Sequence, residues 1–92
     1  MPFSSNLRPL GYQQITSLTT ATGLTIPAGS AVAIITCSGT SVRWRDDGTN
    51  PTSSVGYPLP VGAELVYSGS MPAIKFIETT ASAALDICYY GA

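Results

Sequence analysis

The chain has 92 residues, with four Lys and Arg, five Asp and Glu, no His and a net charge of −1. That length allows one domain, and four scattered cations exclude the basic stripe that a nucleic-acid backbone requires. Charged residues make up only 10%, against roughly 25% in ordinary soluble domains. The surface must then be covered by Ser, Thr, Gly, Ala and backbone, which suits contact with protein. The expectation is a homo-oligomer, trimer or dimer, or a component of an assembly, with no nucleic-acid partner.

Met1–Leu10 carries two prolines with Phe3, Leu7, Arg8 and Leu10, and shows no periodicity. It reads either as a frayed terminus or as an extended arm, residues 1–11, whose apolar side chains dock on a neighbour. It lacks a basic region followed by an apolar one, so no signal peptide is visible and folding in a cytoplasm is expected. From there on the apolar runs are short, rich in β-branched and aromatic residues, and bounded by Gly, Pro, Ser or Asn. They predict strands over Tyr12–Leu18, Gly23–Ile26, Ala31–Cys37, Val42–Arg45, Ala63–Tyr67, Ala73–Glu78 and Ala84–Tyr90. Turn signals fall at 27–29, 38–40, 46–48 and 68–70. Thr79–Leu85 could form a helical turn but reads as a loop entering the last strand. About seven short antiparallel strands imply an all-β domain over 12–92, a small β-sandwich or jelly-roll-like barrel.

Alternation assigns the faces. Val42 and Trp44 share one side of their strand, with Trp44 expected in the core, while Arg43 and Arg45 share the other. Ile74 and Phe76 oppose Lys75 and Ile77. Leu85, Ile87 and Tyr89 alternate with Asp86, Cys88 and Tyr90. Ala31–Ile35 is apolar on both faces, as in a central strand. This longest apolar stretch is far below the ~20 residues that span a bilayer, so no membrane partner is expected. Where outer faces carry Ile77 and Tyr90, burial between subunits is expected. Residues 46–62 form a long connection, functional or mobile, stiffened by prolines at 51, 58 and 60 and bearing Tyr57 and Leu59.

Chemistry is sparse. Without histidine a serine nucleophile has no ordinary base, and no motif spacing supplies another. Asp46 and Asp47 read as turn caps; a calcium loop is the alternative, but the spacing of a dedicated site is missing. Arg43 and Arg45 suit bidentate pairing with Asp46, Asp86 or a partner's carboxylate, or contact with a glycan. Cys37 and Cys88 read as buried thiols, with a disulfide as the alternative and too few ligands for a metal. The tyrosines and Trp44 read as core or interface, with a sugar-binding face as the other use of such rings. No catalytic residue, cofactor or metal is expected.

Three strings carry a resemblance: I-P-A-G-x-A-x-A-I-I-x-C (Ile26–Cys37), V-R-W-R-D-D-G-T-x-P-T-x-S-V-G-x-P-L-P-x-G-x-x-L-x-Y (Val42–Tyr67), and A-I-K-F-I (Ala73–Ile77). With them, roughly Ile26–Tyr90 resembles small virion structural proteins of tailed bacteriophages. The resemblance implies a β-sandwich subunit present in many copies on a virion assembled in the bacterial cytoplasm. Its most natural role would be capsid decoration, a cement protein binding the major capsid protein. Phe3, Leu7, Arg8 and Leu10 of the arm, Arg43 and Arg45, and Tyr57 and Leu59 of the long loop would then be the interaction residues. A tail, baseplate or fibre adaptor binding a tail protein, and a host-surface carbohydrate-binding module, are the alternatives.

Overall fold

A computed structural model describes residues 7–92. Eight strands follow in chain order: β1 Arg8–Ile15, β2 Thr22–Gly23, β3 Ser30–Ser38, β4 Val42–Arg45, β5 Tyr57–Leu59, β6 Glu64–Tyr67, β7 Lys75–Glu78 and β8 Ala84–Gly91. They form two four-stranded sheets with the orders β1-β8-β3-β6 and β2-β7-β4-β5. Pairing is antiparallel throughout. The pairs β1·β8, β2·β7, β3·β6 and β4·β5 nest one inside the next, as if a single long hairpin bent between β4 and β5 had been rolled across both sheets. That wrapping defines a jelly roll, so the expected all-β sandwich is the fold.

Alternation produces the core as anticipated. Ile15, Ala33, Ile35, Cys37, Leu85, Ile87 and Tyr89 face inward from the first sheet, and Val42, Leu59 and Phe76 from the second. Leu18, Met71, Ile74 and Ala83 close it from the connections. Each large side chain removed from water here contributes roughly 1.5–3 kcal/mol. Tyr89 is enclosed among them because its hydroxyl donates to Gln13 Oε1 at 2.7 Å, and burial pushes its phenol pKa up to about 12.

Several details differ from the expectations, each for a physical reason. β1 begins at Arg8 rather than Tyr12, with a register shift between Pro9 and Gly11. An edge strand tolerates a proline that cannot donate, and a bulge absorbs the extra residue. Arg8–Gly11 is therefore strand rather than free arm, while Phe3 lies outside the described residues. β2 shrinks to two residues, held to β7 at Thr22↔Phe76 and Gly23↔Lys75. β5 was not expected; its Pro58 sits on an edge strand, opposite Arg43. Cys88 is exposed rather than buried, and both cysteines are free. Cys37 pairs with Leu85 on the core side and Cys88 with Ile34 on the outer side of the same sheet, so the two thiols stand on opposite faces.

Candidate functional site

Two surfaces collect the chemistry. The first lies where β4 runs into the loop that returns as β5. Trp44 and Tyr57 are direct cross-strand partners, and their rings stack at 5.1 Å between centroids with 26° between planes. Tyr67, at the end of β6, meets the same indole edge-on at 6.0 Å and 71°. Trp44 is thus half-buried at the rim, one step out from the core position expected of it. Tyr67 is buried and donates to Asp46 Oδ2 at 2.7 Å. Burial, reinforced by that carboxylate, pushes its phenol up to about 12. Tyr57 remains 68% exposed.

The arginines divide their labour. Arg45 grips Asp47 through two bonds, Nε to Oδ1 at 3.1 Å and Nη2 to Oδ2 at 2.5 Å. This fork holds the Asp47 carboxyl below, and the Arg45 guanidinium above, their ordinary values. Asp47 Oδ1 also accepts from Thr49 N–H at 3.3 Å, the turn-capping role expected of this acid. The arginine's partner is therefore Asp47, two residues on, instead of the Asp46 or Asp86 anticipated, because the turn after β4 folds the chain back within reach. Among the described residues Arg43 has no ion-pair partner; its Nη1 donates to Gly56 O at 2.9 Å and its Nε to Ser53 O at 3.3 Å. It pins the loop to β4. Gly56 permits this closeness: at φ 143°, a Cβ there would lie 3.1 Å from Arg43 Cβ and 3.2 Å from Pro51 Cβ. Leu59 is buried in the core beside them, so of the loop's two candidates only Tyr57 is presented outward. Arg45, Asp46, Asp47, Val55, Gly56 and Tyr57 line an open cleft of about 400 Å³.

The second surface is the outer face of the β1-β8-β3-β6 sheet. Register sets Tyr12, Cys88, Ile34 and Val66 side by side across all four strands. Pro9, Tyr90 and Val32 extend this apolar row on one side. Gln14, Asp86, Thr36 and Glu64 form a polar row on the other. Tyr12 is 62% exposed, and its hydroxyl donates to Asp86 Oδ1 at 2.5 Å, a bond that raises its phenol pKa. Gln14 Nε2 reaches the same oxygen at 3.2 Å. Alternation along the last strand puts Asp86, Cys88 and Tyr90 together on this side, as found. The rest was implicit in β3, whose two-sided apolar run leaves Val32 and Ile34 outward, but the row needs the strand order to become visible.

Of the arm candidates, Leu10 packs against the core, Leu7 is half-exposed and Arg8 exposed at the start of β1. Among the described residues, no three His, Cys, Asp or Glu side chains come together to hold a metal ion, and no helix is long and apolar enough to cross a membrane. Set against family models, curated proteins and solved structures, the chain finds no match in any of the three.

Proposed function

We propose that this chain is a structural subunit of a tailed-bacteriophage virion, a capsid decoration protein that docks on the outer shell and bridges neighbouring major capsid subunits. The observation that carries this reading is the row Tyr12, Cys88, Ile34 and Val66 running across a whole sheet face. Among the described residues these four strands carry three charged side chains, Asp86 and Glu64 in the adjoining polar row and Arg8 at the exposed start of β1, and none lies in the apolar row itself. Desolvating such a face is cheap, so a protein partner of similar character gains most of the apolar burial. Repetition over a shell then multiplies modest single contacts by avidity. The low charge content and the resemblance over Ile26–Tyr90 support the same reading. Jelly rolls occur in viral shells but also in lectins, so the fold adds compatibility and the surface supplies the argument.

Copy number on purified particles tests it, by quantitative mass spectrometry against the major capsid protein. A ratio near one per capsid subunit, or one per three, is expected. A handful of copies per particle would move the protein to the tail or a vertex and overturn decoration.

A further inference from the structure

Beyond a structural role, we propose that the cleft between Tyr57 and the Arg45–Asp47 fork is a binding site for a neutral hexopyranose unit of a glycan. Its volume, about 400 Å³, falls within the roughly 300–1,000 Å³ typical of ligand clefts. What makes it specific is the pairing of one apolar plate with fixed polar groups of both kinds.

The plate is Tyr57. One side of its ring is backed by Trp44 at 5.1 Å, while 68% of the residue stays open to solvent. An aromatic held by stacking has little motion left to lose when a ligand covers it. The π face carries negative quadrupole density, which complements the weakly positive C–H groups that a pyranose presents on its flat side.

The polar groups meet the hydroxyls. Each sugar hydroxyl both donates and accepts, so a site needs donors and acceptors side by side. Arg45 offers guanidinium N–H groups beyond the two engaged with Asp47, and a carboxylate oxygen has room for more than one donor. Asp46 is steadied in turn by Tyr67. Arg45 and Asp47 thus hold each other and Tyr67 holds Asp46 before any ligand arrives.

Charge selects within the class. The cleft sets one cation against two carboxylates, an excess negative charge that opposes phosphate, sulfate and carboxylate groups. Nucleotides, which share the taste for aromatic plates, are disfavoured for the same reason. A neutral ring with vicinal hydroxyls is not.

Trp44 is the single tryptophan and lies under the plate, so its fluorescence reports on the site directly. The test titrates the full chain with maltotetraose, chitotetraose and a galactose tetrasaccharide, each beside a sulfated counterpart. A saturable change in Trp44 emission with at least one neutral probe is expected, with the sulfated form binding at least about tenfold more weakly. Tyr57→Phe should keep the affinity within about threefold, since the ring and not the hydroxyl stacks. Tyr57→Ala and Asp47→Asn should each lose at least about tenfold while keeping the wild-type far-ultraviolet spectrum. Silence with every neutral probe on a broad glycan array overturns the proposal. So does saturable binding that survives Tyr57→Ala, or a response to an oligoproline peptide alone.

Discussion

Trp44 and Tyr57 oppose each other in the β4–β5 ladder and stack at 5.1 Å, yet one is half-buried and the other is among the most exposed aromatics described. Tyr67 closes on the same indole from β6. β5 and β6 are each an edge strand, one of either sheet, so this aromatic group lies along one open flank of the sandwich and offers a ring to solvent there.

Because the outer ring is so exposed, Tyr57→Ala should cost only about 0.5–1.5 kcal/mol, the worth of an aromatic pair. A small fall in the urea midpoint is expected, with Trp44 emission moving to longer wavelength as the indole loses its cover. A loss above about 3 kcal/mol would show that Tyr57 is a structural prop.

The Arg43 clamp makes a different prediction. Replacing it in Arg43→Ala frees the carbonyls of Ser53 and Gly56; hydrogen bonds to a charged donor contribute about 1.5–3 kcal/mol each at most, less where water can substitute. The loop should loosen before the domain does. Limited proteolysis within 48–56 should accelerate while the global unfolding free energy falls by no more than about 2 kcal/mol. An unchanged cleavage rate would mean that the loop is held by its own turn, in which Thr52 and Val55 exchange backbone bonds at 2.9 and 3.3 Å.

Alkaline pH should act through Tyr67 and Tyr89. Both phenols sit near 12 in the folded chain against an ordinary value near 10. The unfolded chain releases these protons first, so their stabilising contribution is complete below about pH 10 and is lost as pH rises through about 12. Denaturation midpoints should hold steady to about pH 10 and then fall, with late phenolate absorbance appearing together with unfolding. In Tyr67→Phe the fall should be shallower. A phenolate titration complete by about pH 10.5 without unfolding would contradict the burial of these rings.

Much of the architecture was legible because apolar side chains alternate cleanly where strands are half-covered. The β3, β4 and β8 segments were placed to within a residue or two, and the inward sets of β7 and β8 followed from period alone. β5 was hidden by its shortness and by Pro58, which normally argues against a strand and is harmless at an edge. β1 was misjudged for the same reason at Pro9. Of the site, Tyr57 and Arg45 were identifiable as residues worth watching. Their relationships were not, because the Arg45–Asp47 fork depends on how tightly the chain turns after β4. The Trp44–Tyr57 stack depends on a strand that the sequence disguises. The two cysteines show two sequence signals in competition: apolar surroundings argue for two buried thiols, while alternation in β8 already sets Cys88 opposite the inward Leu85, Ile87 and Tyr89, and the structure follows the alternation.

Cys88 reports on the sheet face that the proposed role requires. It stands between Tyr12 and Ile34 in the apolar row, whereas Cys37 is buried and its thiol bonds Thr40 O at 2.8 Å. Burial also pushes the Cys37 pKa up, lowering its thiolate fraction. In dilute free protein one thiol per chain should react promptly with an aromatic disulfide reagent, and the second at least about a hundredfold more slowly, through opening of the fold. When the chain is seated on a particle through this face, Cys88 should become as slow as Cys37. Val66→Asp, which sets a charge at a 37% exposed position in the same row, should leave folding within about 0.5 kcal/mol but reduce occupancy on the particle. Prompt labelling of Cys88 on fully occupied particles would show that the face stays open to solvent, and the docking surface would have to be sought elsewhere on the domain.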